Sequence, residues 1–390
     1  MQPLTLARTP TETPDDASLG LRLQAAPAVV DEAWVPAAAG DRRTISNWRE
    51  YMARASRIVG RFHGQFRIGH FDYLHPARLQ PGTPRRLRKP YMASVAYTEW
   101  GPSQAPVLLC AGGVANVAMR FHYLAADLCH QYRVICMDWL GRGRSGWLAA
   151  EGDYSLGTYT EQLRQMIAHL GPRPVTLLGS SMGGSAAIEL IARHPRLVDR
   201  LILNDVGPFI PAKRRKRRAE TIARHYVFRH PSDLLRRVGA SQKNDGPVSE
   251  DIRFNLTFHQ TRWSDEEGGR VYRHDVRAMQ AYRETAGKSL DQWAQWQRVQ
   301  CPVLLIHGMQ SDALLAPTIR RMLRAKPVTV MHVPDTGHTP LLADRNQIEF
   351  IRQWMEDRSS TGSEWTVLHA GSRDAFPGSP ILFAPAAALR

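Results

Sequence analysis

Leu177-Leu178-Gly179-Ser180-Ser181-Met182-Gly183-Gly184 is the stretch that decides how this chain is read. It has the form G-x-S-x-G. It is entered from the apolar run at 175–178 and left through Ser185-Ala186-Ala187-Ile188-Glu189-Leu190, which has the composition of a helix. At a sharp strand-to-helix turn a serine is held in a strained backbone conformation with its hydroxyl lifted above the sheet. Glycines two positions to either side remove the side chains that would clash there. Small residues at Gly183, Gly184, Ser185 and Ala186 let the following helix pack close to its sheet. Ser181 is therefore the expected nucleophile, and the rest of the chain must supply its partners.

Outward from this turn, short apolar β-type runs alternate with helix-like segments. Strands are expected at 93–99, 106–111, 133–137, 174–178, 200–204, 301–307 and 328–333, and helices at 119–130, 156–170 and 346–354. That alternation specifies an α/β fold with a mostly parallel sheet flanked by helices on both faces. The core is expected over 91–207 and 300–358. Residues 208–299 interrupt it with a polar, basic, helix-leaning insertion, read as a helical lid or cap. Its Trp263, Trp293 and Trp296 belong either to an apolar acyl pocket or to the core of the lid. Residues 1–42 and 359–390 read as a loosely attached or disordered leader and a peripheral tail.

Between leader and core, 43–90 forms an N-terminal extension. Asn47 with Glu50 three residues on is a helix start, followed by Trp48, Met52, Ala55, Ile58 and Val59 at helical spacing. Arg49, Arg54 and Arg57 occupy the opposite face. Such a basic amphipathic helix packs against the main domain or a partner, or touches a membrane surface as a peripheral element. A proline- and arginine-rich connector, 76–90, leads from it to the core.

Over 390 residues, a hydrophobic fraction of 43% supports a globular core. Cys110, Cys129, Cys136 and Cys301 lack any C-x-x-C spacing, which suits small buried hydrophobes in a reducing compartment. No His/Cys clustering implies a metal. No secretory leader or membrane-spanning run is present in the sequence, so a cytoplasmic protein is the expectation. The net charge is +15, with arginine spread over the whole chain and two clusters standing out, Arg85-Arg86-Leu87-Arg88-Lys89 and Lys213-Arg214-Arg215-Lys216-Arg217-Arg218. These are read first as solvated faces or linkers and second as attractors of anionic substrates or surfaces. No nucleic-acid-binding motif accompanies them.

Serine needs a base to take its proton, usually a histidine that a carboxylate orients in turn. Pro334-Asp335-Thr336-Gly337-His338-Thr339-Pro340 follows the apolar run 328–333 and offers His338 just beyond a strand end, where open parallel sheets carry their sites. Asp312, in the loop after 301–308, is the expected acid, and Asp205, directly after 201–204, is its rival. Asp335 lies too close to His338 in a tight loop, and His307 reads as structural. For the oxyanion, the expected donors are the backbone N–H groups of Met182 and of Gly113 in Ala111-Gly112-Gly113-Val114-Ala115-Asn116.

With these residues in place, the region from about 91 to 354 resembles the α/β-hydrolase superfamily. The likeness rests on the elbow Gly179–Gly183, the D-x-x-G-x-G-x-S loop Asp138-Trp139-Leu140-Gly141-Arg142-Gly143-Arg144-Ser145, the loop with Asp312, and Gly337-His338, in family order. Leu203-Asn204-Asp205-Val206-Gly207-Pro208 further resembles bacterial esterase-like hydrolases. One departure is Ala111-Gly112, where members usually have His-Gly, a histidine that supports the oxyanion loop. The resemblance implies a cofactor-free serine hydrolase that cleaves a carboxylic ester or related small acyl substrate through an acyl-enzyme. Acyltransferases, C–C bond hydrolases and peroxidase-like members use the same triad, and a catalytically weak interaction protein is the reading from another class. The serine excludes the aspartate-nucleophile branch. Neither the acyl group nor the oligomeric state is legible.

Overall fold

The computed structural model describes residues 47–76, 89–242, 245–357, 362–370 and 383–385. In chain order its strands are β1 (Phe66–His75), β2 (Tyr91–Trp100), β3 (Val107–Ala111), β4 (Arg133–Met137), β5 (Val175–Ser180) and β6 (Val198–Asn204). Five short ones follow, β7 (Phe209–Ile210), β8 (Val227–Phe228), β9 (Thr261–Ser264), β10 (Gly269–Tyr272) and β11 (Leu290–Asp291). The last are β12 (Val303–Gly308), β13 (Thr329–Val333), β14 (Glu364–Val367) and β15 (Phe383–Pro385). Ten of them form one sheet in the order β1-β2-β4-β3-β5-β6-β12-β13-β14-β15. From β4 to β14 neighbouring strands run parallel, while β1, β2 and β15 are antiparallel additions at the edges.

Central strands β3, β5 and β12 are buried almost throughout, as a sheet covered on both faces requires. Helices Leu156–Leu170 and Met182–Arg193 pack on one face, with Leu163, Ile167, Ile188 and Ile191 against Leu177 and Leu203. On the other face Leu124, Leu128, Ile351 and Trp354, from helices His122–Leu128 and Arg345–Glu356, meet Leu178, Ile202 and Leu304. Pairing of β5 with β6 sets Ser180 opposite Asn204. The residues that follow, Ser181 and Asp205, therefore leave the sheet side by side at its carboxyl edge.

Three parts of the chain depart from the sequence-based expectation. β1 enters the main sheet from within the N-terminal extension: Phe71, Tyr73 and His75 alternate inward, while exposed Ile68 and Leu74 blur the pattern. β14 sits in the sheet from within the expected tail, parallel to β13, with Val367 buried. A four-residue strand flanked by Ser and Gly carries too little periodicity to stand out.

The insertion, expected to be helical, also carries β7–β11 as a two-stranded and a three-stranded sheet. Arg270, on β10, is fully buried between the rings of Tyr51 and Phe258 and donates to Thr261 Oγ1 and to the carbonyls of Phe258 and Thr261. A charged residue at a core position hides the strand from any hydrophobic pattern. Helix Trp48–Val59 starts at Asn47, whose Oδ1 accepts Glu50 N at 3.0 Å. Its apolar face, Tyr51, Ala55 and Ile58, packs on Phe228, Leu234, Phe254 and Phe258 of the insertion. The apolar face of the helix is thus used within the chain. The first basic cluster, 85–89, lies mostly outside the described residues, as do 1–46. No helix among the described residues is long and apolar enough to cross a membrane.

Candidate active site

Ser181 makes the turn between β5 and helix Met182–Arg193 alone, at φ 49° and ψ −114°. This left-handed conformation is strained for a residue with a side chain. A Cβ on Gly179 would lie 2.5 Å from Gly184 N, so the close approach of strand and helix depends on glycine there.

His338 lies between the serine and a carboxylate. Its Nε2 is 3.0 Å from Ser181 Oγ and its Nδ1 is 2.7 Å from Asp205 Oδ2. Asp205 is fully buried and is held by several donors: Gly308 N to Oδ1 at 3.1 Å, with Ser311 Oγ at 2.5 Å and Thr339 N at 3.4 Å to Oδ2. The histidine loop is pinned from beneath by buried Arg120, which donates to Thr339 O at 2.7 Å and Thr339 Oγ1 at 3.2 Å. Asn204 Nδ2 ties Ser180 Oγ to Pro340 O, joining the elbow to that same loop. Burial is the main cause that holds the His338 pKa below the ordinary imidazole value. Its bond to Asp205 and the carboxylate charge oppose this, and Arg214 and Arg218 add to the depression.

Asp312, expected as the acid, does not face the histidine. Its Oδ1 accepts from Arg214 Nε at 2.8 Å, its Oδ2 pairs with Arg217, and its side chain is 39% exposed. The rival acid, Asp205, occupies the position. Loop 308–312 still serves the site through Ser311, the neighbour of the expected residue. Ser311 was missed because a serine beside an aspartate reads as turn chemistry. Its hydroxyl also accepts Ala313 N and Leu314 N.

Met182 N–H lies in the first turn of its helix, where no carbonyl four residues earlier belongs to the helix. Gly113 is close over the nucleophile: a Cβ there would stand 3.6 Å from Ser181 Cβ. Its N–H, however, donates to Asn116 Oδ1 at 2.9 Å, so this donor is already occupied. The missing loop histidine at Ala111 is offset by two other donors. Trp139 Nε1 reaches Gly112 O at 2.8 Å, and buried Arg142 Nε reaches Val114 O at 2.9 Å. Both come from the loop that begins at Asp138, whose carboxylate accepts Ala118 N and Arg144 N.

The three residues open onto a cavity of about 910 Å³. Its walls come from loop 113–116, the start of helix Leu156–Leu170, and the insertion. Of the three tryptophans weighed for the pocket, none lines it. Trp296 is buried in the main core, Trp293 stacks under Arg321, and Trp263 packs on Trp48.

A family model described as the α/β-hydrolase fold matches residues 105–344. The chain belongs to the α/β-hydrolase family. Among curated relatives, a 3-hydroxybutyrate-oligomer hydrolase of Cupriavidus necator is 32% identical over 271 residues, which cover 67% of this chain and 92% of that protein. An esterase of Mycobacterium tuberculosis is 28% identical over 280 residues, 68% of this chain and 87% of the esterase. Among solved structures, an α/β hydrolase of Novosphingobium aromaticivorans superposes with a TM-score of 0.61 at 22% identity, covering 75% of this chain and 98% of that one. This α/β hydrolase is a hydrolase by family and by its relatives' names.

Proposed function

We propose that the protein is a serine esterase whose triad is Ser181, His338 and Asp205, and that it acts on short oligoesters of the 3-hydroxybutyrate type. The observation that carries this reading is the chain of contacts from Ser181 Oγ through His338 to buried Asp205 at the floor of a large cavity. The substrate is suggested by the Cupriavidus necator relative, matched over nearly all of its length.

In this mechanism His338 Nε2 takes the proton of Ser181 as Oγ attacks the ester carbonyl, and Asp205 holds the ring in the tautomer that leaves Nε2 free. The tetrahedral oxyanion accepts from Met182 N–H and from Gly113 N–H, and Asn116 gives up its place to it. His338 then protonates the leaving alcohol. Water, activated by the same imidazole, releases the acid from Ser181.

Purified protein should hydrolyse p-nitrophenyl butyrate and 3-hydroxybutyrate dimers, and Ser181→Ala should remove both activities. A fluorophosphonate should label the wild type and not Ser181→Ala. A folded protein with no turnover and no labelling would refute the reading.

A further inference from the structure

The second basic cluster, 213–218, lies on helix Ala212–Ile222, and the helix sorts its charges by face. Lys213 and Lys216 are exposed and stand away from the cavity, while Arg214, Arg215, Arg217 and Arg218 line it together with Ser181 and His338, Arg214 and Arg218 being one turn apart. The inward cations differ in what they already hold. Arg214 and Arg217 are engaged by Asp312, Arg215 by the carbonyls of Thr285 and Lys288, and Arg120 by Thr339. The Arg218 guanidinium makes no hydrogen bond or ion pair with any described residue. Asp245, another cavity wall residue, stands under the field of Arg120, Arg253 and Arg218 without pairing with any of them at ion-pair distance.

An unpartnered guanidinium on the wall of a partly desolvated cavity is costly unless something fills its fork. Burial, followed by Arg214, pushes the Arg218 pKa down. Its charge also depresses the protonation of His338, which places it within electrostatic reach of the reacting centre. We propose that Arg218 is the anion-binding residue of this cavity and that the ester cleaved at Ser181 carries a free carboxylate, which the guanidinium holds. This rests on the esterase reading above and adds to it the residue that selects the substrate. A single free guanidinium, with Asp245 lining the same cavity, suits one negative charge rather than a phosphate dianion. A planar carboxylate also matches the fork of an arginine. In a hydroxyacid oligomer the carboxylate lies on the alcohol side of the terminal ester. Binding at Arg218 would therefore position that ester for attack and favour removal of units from the acid end.

The test compares the free-acid 3-hydroxybutyrate dimer with its methyl ester on the full-length protein. The wild type should prefer the free acid by tenfold or more in kcat/KM, and 0.5 M NaCl should shrink the preference. Arg218→Met should bring the ratio near one, and Arg218→Lys should keep part of it. A wild-type ratio near one, or an unchanged ratio in a folded Arg218→Met protein, overturns the proposal. Calorimetric binding of the same two compounds to Ser181→Ala reads the subsite without turnover. Failure of hydrolysis alone then falls on the esterase reading, whereas equal binding of acid and methyl ester falls on Arg218.

Discussion

Two carboxylates stand at the ends of adjacent parallel strands, and the molecule treats them in opposite ways. Asp205, after β6, is fully buried, has a left-handed backbone at φ 53°, and accepts from Gly308, Ser311 and Thr339 as well as from His338. Asp312, in the loop after β12, remains 39% exposed and binds two arginines of the insertion. A carboxylate that must stabilise a transient imidazolium needs fixed donors and little water, because only a preorganised site avoids reorganising when the charge appears. Asp205 has that environment. Asp312 has the environment of a tie between core and insertion. Chain order alone does not separate the two, whereas burial and donor count do.

The sharpest way to break this comparison is to neutralise each in turn. Asp205→Asn should lower kcat about 10³–10⁴-fold, because the amide cannot hold His338 in the required tautomer. Asp312→Asn should change it by less than about threefold, as expected for a partly exposed ion pair that does not touch the histidine. Steady-state kinetics with a neutral p-nitrophenyl ester reads both, and near-UV circular dichroism reports whether each variant keeps its packing. The reverse ranking would return the acid role to Asp312.

Next in size is the donor side. Gly113→Val would put a branched side chain where even a Cβ would stand 2.7 Å from Asn116 Oδ1 and 3.6 Å from Ser181 Cβ. We expect kcat to fall about 10²–10³-fold with fluorophosphonate labelling slowed in parallel. Unchanged turnover would remove Gly113 from the oxyanion site. Ser311→Ala deletes one donor to Asp205 and should lower kcat about tenfold, the scale of one hydrogen bond to a charged group at ~1.5 kcal/mol. A loss as large as that of Asp205→Asn would mean that Ser311 holds the loop and not only the carboxylate.

Much of this site was legible in the sequence because its signals are local. The elbow around Ser181 needs glycines at fixed offsets, and His338 follows a strand with a glycine before it. The sheet was legible for the same reason, since β3, β5 and β12 are short apolar runs between helices. What stayed hidden depends on register and on buried charge. The choice between Asp205 and Asp312 turns on Ser180 lying opposite Asn204 across β5 and β6, which no spacing along the chain encodes. The strand β10 escaped because Arg270 occupies a core position, satisfied by carbonyls and rings that come from elsewhere in the fold. Asn116 gave no signal at all, because its role is a contact with Gly113 across a tight turn.

The smallest effect is read by sign instead of by size, and it separates Asp312 from its arginine partner. His338 must be neutral to accept the serine proton, so the acid limb of kcat/KM follows its pKa, which burial, Arg214 and Arg218 hold below the ordinary 6.5. Arg214→Gln removes a positive charge that disfavours the imidazolium and leaves Asp312 with one arginine fewer. Both changes favour the protonated ring, so the limb should move to higher pH. Asp312→Asn removes a negative charge and leaves Arg214 and Arg217 unpaired. Protonation is then disfavoured further, and the limb should move to lower pH. Because Asp312 and Arg217 reach solvent, both shifts should shrink between 0.05 and 0.5 M salt, with a Debye length falling from roughly 14 to 4 Å. Limbs that move together, or not at all, would mean that the arginines of the insertion do not reach the imidazole. Opposite movements with little loss of kcat would assign Asp312 a field on the histidine and leave the triad to Asp205.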